Sequence, residues 1–151
     1  MEFTKKNWNI VLISDKREVE FGENKIILDG MTLDFPGEYE KSWILALIAE
    51  VWDKLFFQLR VDDKNISYIP YDEIDLSEEV LKIFWNIDVL IIKWSKNSIK
   101  IYENLEARYV LPYWEAKDVF FTTLGQHPEE VKTYKLKDTW MENEVIFINV
   151  G

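Results

Sequence analysis

The sequence predicts an α/β (α+β) fold in one domain, residues 1–151, with a β-meander first and alternating strands and helices after it. Three observations predict it. Residues 9–69 carry short apolar, β-branched runs separated by turn residues. Residues 75–125 place two continuous apolar runs between segments with helix start and stop signals. No Pro/Gly-rich linker, repeat or low-complexity stretch divides the 151 residues, a length that suits one core.

In chain order, Asn9-Ile-Val-Leu-Ile-Ser14 reads as a buried strand. Lys25–Leu28 and Met31–Asp34 flank Asp29-Gly30, a two-residue hairpin signal. Phe35-Pro-Gly-Glu-Tyr-Glu40 reads as a turn. Residues 43–61 have helical propensity in their Leu, Ala and Glu content, yet two strands, about 43–52 and 55–61, suit the aromatic Trp52–Phe57 stretch better. Asp62–Asn65 is a turn, and Ile66–Ile69 a strand ending at Pro70. Asp75 with Glu78 makes a capping-box variant, opening a helix over about 77–85. Asp88–Ile92 is a strand buried on both faces. Asn97 or Ser98 caps a helix reaching about Leu105, and Arg108–Pro112 is the next strand. A helix over about 116–124 stops at Gly125, and strands near 131–136 and 144–150 finish the chain.

Composition excludes several classes. With 48% hydrophobic and 30% charged residues the chain is globular, and no apolar run reaches membrane-spanning length. The start, Met1-Glu-Phe-Thr-Lys-Lys6, lacks the apolar core of a signal peptide, so the cytoplasm is the expected location. The absence of cysteine removes disulfides, thiolate zinc sites and a thiol nucleophile. A net charge of −10 without a basic patch argues against direct nucleic-acid binding. Seven tryptophans exceed what a core of this size absorbs, which points to a contact surface.

Four segments carry a resemblance to the metallo-β-lactamase superfamily, specifically its small single-domain bacterial hydrolases. Val11-Leu-Ile-Ser14 is similar to the strand feeding the family's His-x-His-x-Asp-His loop. Phe35-Pro-Gly-Glu-Tyr-Glu40 resembles that subgroup's Gly-Pro-Gly-Glu-Tyr-Glu turn, and Ile66–Asp72 the strand that delivers a bridging aspartate. Leu105–Trp114 resembles the helix end and proline strand presenting the last histidine. The resemblance covers residues 9–151 and implies a partial β-sandwich flanked by helices, with the family's amino-terminal strands missing. An exposed sheet edge would follow, and such edges invite pairing.

The family's ligand positions hold other residues here. Asp15, Arg17, Val19 and Glu20 stand where His, His, Asp and His are implied, and Trp114 replaces the last histidine. Asp72 falls near the bridging aspartate, with Tyr71 competing for the place. The one histidine, His127, sits beside Pro128 and matches no implied ligand. Asp15, Glu18 and Glu20 are a conceivable carboxylate site for a hard cation, but Arg17 among them repels an ion and a solvated loop is the ordinary reading. The resemblance with these departures implies no catalytic residue, metal or cofactor. The expectation is a non-enzyme, catalytically inactive, acting as an interaction or assembly module through self-association (a homodimer) or a protein partner. Two alternatives stand beside it: an acidic inhibitor or polyanion mimic of a basic partner, and a residual hydrolase with a carboxylate-bound metal.

Overall fold

The computed structural model describes residues 1–71, 74–93, 98–113, 117–136 and 145–151. The first part is all strand: β1 (Glu2–Lys6), β2 (Asn9–Ser14), β3 (Arg17–Gly22), β4 (Lys25–Leu28), β5 (Met31–Leu33), β6 (Gly37–Lys41), β7 (Ile44–Val51), β8 (Lys54–Val61) and β9 (Lys64–Ile69). Strands and helices then alternate: α1 (Glu78–Leu81), β10 (Ile87–Lys93), α2 (Ser98–Asn104), β11 (Ala107–Tyr113) and α3 (Lys117–Thr123). Four short strands end the chain: β12 (Glu130–Val131), β13 (Thr133–Lys135), β14 (Ile146–Phe147) and β15 (Asn149–Val150).

Among the described residues the strands form two large sheets, in the orders β13-β1-β2-β3-β4-β5 and β14-β11-β10-β9-β8-β7-β6, with β12 and β15 as a separate pair. The first sheet is antiparallel throughout, while β9, β10, β11 and β14 run parallel in the second. The chain changes sheet between β5 and β6. Alternation explains the layering: Ile44, Ala46 and Ile48 of β7 are buried, whereas Leu45 and Leu47 between them are exposed. The inward set meets Phe3, Leu12, Phe21 and Leu28 of the first sheet in one core. A second core lies on the other face of the second sheet. There Phe56, Leu90, Ile92 and Val110 pack against Val80 of α1, Ile101 of α2, and Phe120 and Phe121 of α3. Covered on both sides, β10 is buried from Ile87 to Ile92. No helix among the described residues is long and apolar enough to cross a membrane.

The tight turns follow from backbone sign rather than from composition. Both central residues have positive φ at Asp15-Lys16, Asp29-Gly30, Ser42-Trp43, Trp52-Asp53 and Asp62-Asp63. That is the geometry whose twist matches two-residue hairpins. Only Asp29-Gly30 carries the usual residues for it. Trp43 takes φ 65° with 86% of its surface exposed, so it bears the left-handed penalty of about 1–2 kcal/mol without burial to offset it. Replacing Trp43 by Gly, which keeps the Ser42 hydroxyl, should raise stability by about 1 kcal/mol, and Tm by about 2–4 °C in calorimetry. An unchanged or lower Tm would show that the indole is supported in a way its exposure does not reveal.

One end of the sandwich is tied by polar side chains. Arg17 donates to the Ser42 carbonyl at 3.0 Å and pairs with Asp62 at 2.7 Å, linking the sheets. Ser14 donates to Asp62 as well, and Ser42 donates to Asp29 at 2.6 Å. The Ser14 hydroxyl, then Arg17, hold the Asp62 carboxyl below its ordinary range.

Both strands expected in residues 43–61 are present, as β7 and β8. Other expectations are corrected. Ser14 does not feed a loop: Asp15-Lys16 turns at once into β3, so Arg17, Glu18, Val19 and Glu20 are strand residues. Phe35–Glu40 is a turn only at its start, and Gly37 onward pairs with β7 as strand β6. The first helix is shorter than 77–85, and its cap is Ser77, whose hydroxyl accepts from the Val80 amide, rather than Asp75. The stop at Gly125 holds, with φ +66° and Gln126 donating to Phe121 at 2.8 Å. The two closing strands are four shorter pieces, because β13 joins the first sheet and β14 the second.

Candidate functional site

A cleft of about 560 Å³ opens at the end of the sandwich away from the Arg17–Asp62 tie. It lies where the parallel strands β9, β10 and β11 finish, represented by Pro70, Lys93 and Tyr113. Carboxyl ends of parallel strands are where α/β sheets leave room for ligands, since the chain must depart there in divergent directions. The opposite wall comes from the first sheet: Trp8 and Asn9 at the β1–β2 turn, Gly22 and Glu23 at the β3–β4 turn.

Tyr68 joins the two walls. Its ring is buried between the sheets, edge-on to Phe21 at 5.0 Å and tilted against Phe57 at 5.5 Å. Its hydroxyl donates to the Gly22 carbonyl at 2.5 Å, across the gap from β9 to β3. A phenol carries one proton, so the Tyr113 hydroxyl, 3.2 Å away, is the donor in the second bond and Tyr68 accepts it. Burial pushes the Tyr68 hydroxyl well above the usual tyrosine range, keeping it a neutral donor at any ordinary pH. The ordered relay Tyr113 to Tyr68 to Gly22 fixes the floor of the cleft.

The rim carries charge and a flat surface. Trp8 is 64% exposed, and the Lys5 ammonium sits 5.3 Å from its ring centre. Lys93 and Glu23 are the charged residues of the described lining. In a chain of net charge −10, the described lining holds one ammonium, Lys93, against one carboxylate, Glu23, and Lys5 adds a second ammonium beside the Trp8 ring.

The residues singled out in the sequence do not gather here. Asp15 and Arg17 lie at the β2–β3 turn, at the far, tied end, 3.8 Å from each other. Val19 is buried opposite Leu12 in the inner core. Glu20 accepts a hydrogen bond from Asn9 at 3.3 Å. His127 is exposed between α3 and β12. Asp72 and Trp114 lie outside the described residues; in sequence they follow β9 and β11. The cleft residues Trp8, Glu23, Tyr68, Lys93 and Tyr113 have no local motif. The available signal was alternation along β9, which turns Tyr68 inward, and the positions of Lys93 and Tyr113 where parallel strands end.

No protein-family model matches the chain, and no curated protein does. Among solved structures the fold is similar to a crystal structure from Thermotoga maritima, provisionally described as a Zn-dependent hydrolase of the metallo-β-lactamase superfamily. The TM-score is 0.75 at 13% identity, over 99% of this chain and 98% of that one. The fold is therefore metallo-β-lactamase-like. One expectation changes with this finding. The expected non-enzyme is contradicted, because the fold match is to a protein provisionally described as a hydrolase.

Zinc takes thiolate, imidazole and carboxylate ligands at about 2 Å. This chain has one histidine and no cysteine. Among the described residues no group of three or more His, Asp or Glu side chains is placed to hold an ion. The described cleft lining offers one carboxylate, Glu23, with the Lys93 ammonium in the same lining. The described residues do not fit zinc.

Proposed function

We propose that the chain binds a flat, anionic small molecule in the cleft at the carboxyl ends of β9, β10 and β11. The observation that carries this reading is the pairing of an exposed indole, Trp8, with the ammonium groups of Lys5 and Lys93 in an otherwise acidic protein. A planar ring stacks on the indole, and an anionic group on that ring lies toward the lysines. The Tyr113–Tyr68–Gly22 relay holds the two walls at a fixed spacing, so little ordering is needed on binding.

The probe is p-nitrophenyl phosphate, with inorganic phosphate as the control. At about −0.3 kcal/mol per heavy atom, a ligand of this size binds with a Kd of about 1 mM. Tenfold excess then stabilises the protein by about 1.4 kcal/mol, a Tm increase of about 3–5 °C. Trp8→Ala and Lys93→Ala should each remove the shift. An equal shift with inorganic phosphate alone, or no shift with either, overturns the reading. The nitrophenolate leaving group reports hydrolysis of the probe in the same sample.

A further inference from the structure

The outer face of the second sheet is only half covered. Across one row of the sheet, register sets Glu38, Leu47, Gln58, Ser67 and Leu90 side by side on β6 to β10. The Leu90 end is roofed by the helices, in the second core. At the other end Leu45 and Leu47 stand 48% and 36% exposed, with Trp85 at 58% beside them. These three and Gln58 line a shallow groove of about 230 Å³.

The charge around the groove says what belongs in it. Glu40 and Glu38 lie directly opposite Leu45 and Leu47, so the apolar strip has an acidic border on its β6 side. On the β8 side Arg60 is already engaged, with Asn65 at 2.9 Å and Asp63 at 3.6 Å. A second copy would bring another net charge of −10 and the same acidic border against this one.

We infer that this face docks a partner protein's apolar segment flanked by lysine or arginine, its leucine-type side chains over Leu45 and Leu47 and its cations beside Glu38 and Glu40. The occupant differs in class and place from the cleft ligand, so either proposal can fail alone.

The test uses the whole protein and two 14-residue amphipathic peptides, one of leucine and lysine, the other with glutamate for lysine, by isothermal titration. The Leu/Lys peptide should bind with 1:1 stoichiometry and the Leu/Glu peptide at least tenfold more weakly. Leu47→Asp adds negative charge but removes apolar surface, and should weaken Leu/Lys binding at least tenfold. Leu45→Ser repeats the test with a smaller change at a more exposed site, should Leu47→Asp disturb folding. Glu38→Lys should weaken binding and flatten its salt dependence. Lys93→Ala, in the cleft, should bind the peptide as the parent does. Undiminished binding by both leucine variants would show attraction to net charge alone and overturn the proposal. Equal binding of the Leu/Glu peptide would also overturn it. So would a dimer in sedimentation equilibrium that Leu47→Asp dissociates, which would make a second copy the occupant.

Discussion

Tyr68→Ala should destabilise the protein by about 4 kcal/mol, and Tyr68→Phe by about 2 kcal/mol, in urea unfolding with the denaturant slope unchanged. The alanine change empties a site between the sheets. The ring is 1% exposed and meets Phe21, Phe57 and Tyr113 with centroids 5.0–6.0 Å away. Three rings on three strands cannot all collapse into the space, so most of the cavity cost stays. The phenylalanine change keeps the packing and removes one oxygen. The Gly22 carbonyl then loses the Tyr68 donor across the sheets, and the Tyr113–Tyr68 hydrogen bond is lost. The difference between the variants separates ring from hydroxyl. Tyr68→Phe should also weaken p-nitrophenyl phosphate binding, because Gly22 and Glu23 are then no longer tied to β9. A phenylalanine variant as stable as the parent would mean that water satisfies Gly22, and that the cleft walls are held by packing alone.

Tyr68 also shows why the site was less legible than the fold. Its bond to Gly22 spans 46 residues, and its bond to Tyr113 another 45. Such pairings leave no mark on a local window. Strands β7 and β8 were legible from the aromatic Trp52–Phe57 stretch, whereas the alternating burial of Ile44–Ile48 was not, since every one of those residues is apolar and only the folded sheet separates its two faces. Strand β10 was legible as a continuous apolar run, since both of its faces are covered. Strand β3 was not, although Val19 and Phe21 are buried at period two. Its entry turn, Asp15-Lys16, lacks the glycine that marks such turns, and its outward residues Glu18 and Glu20 resemble a solvated loop. The same gap misplaced the candidate ligand positions. A motif matched across Asp15–Glu20 takes those residues to be a loop at the site, whereas a tight turn puts Asp15 and Arg17 at the opposite end of the sandwich. The exposed tryptophans were legible as an excess over the core. Where they stand, Trp85 beside Leu47 and Trp8 beside Lys5, needed the sheet order.

Asp88→Ala should cost about 3 kcal/mol, and Asp88→Asn about 1 kcal/mol. Asp88 opens β10 at 9% exposure, with one carboxylate oxygen accepting the Asn65 backbone amide at 2.8 Å and the other 3.3 Å from Arg108. Arg108 is about half exposed, so solvent screens its share of the pair and the ionic part is small. The buried amide has no such screening. Alanine strips both interactions, whereas asparagine keeps an acceptor for Asn65 and loses only the charge. Equal costs for the two variants would put the ion pair first and refute the ordering; so would an asparagine penalty that vanishes in 1 M salt while exceeding the alanine remainder. The consequence reaches the half-covered face. Asn65 also accepts from Arg60 and donates to the Asn86 carbonyl at 3.0 Å, next in the chain to Trp85. Loss of Asp88 therefore frees the residue that positions both Arg60 and the Trp85 turn. Asp88→Ala should weaken the Leu/Lys peptide without touching a residue that contacts it, and Asp88→Asn should leave that affinity near the parent value.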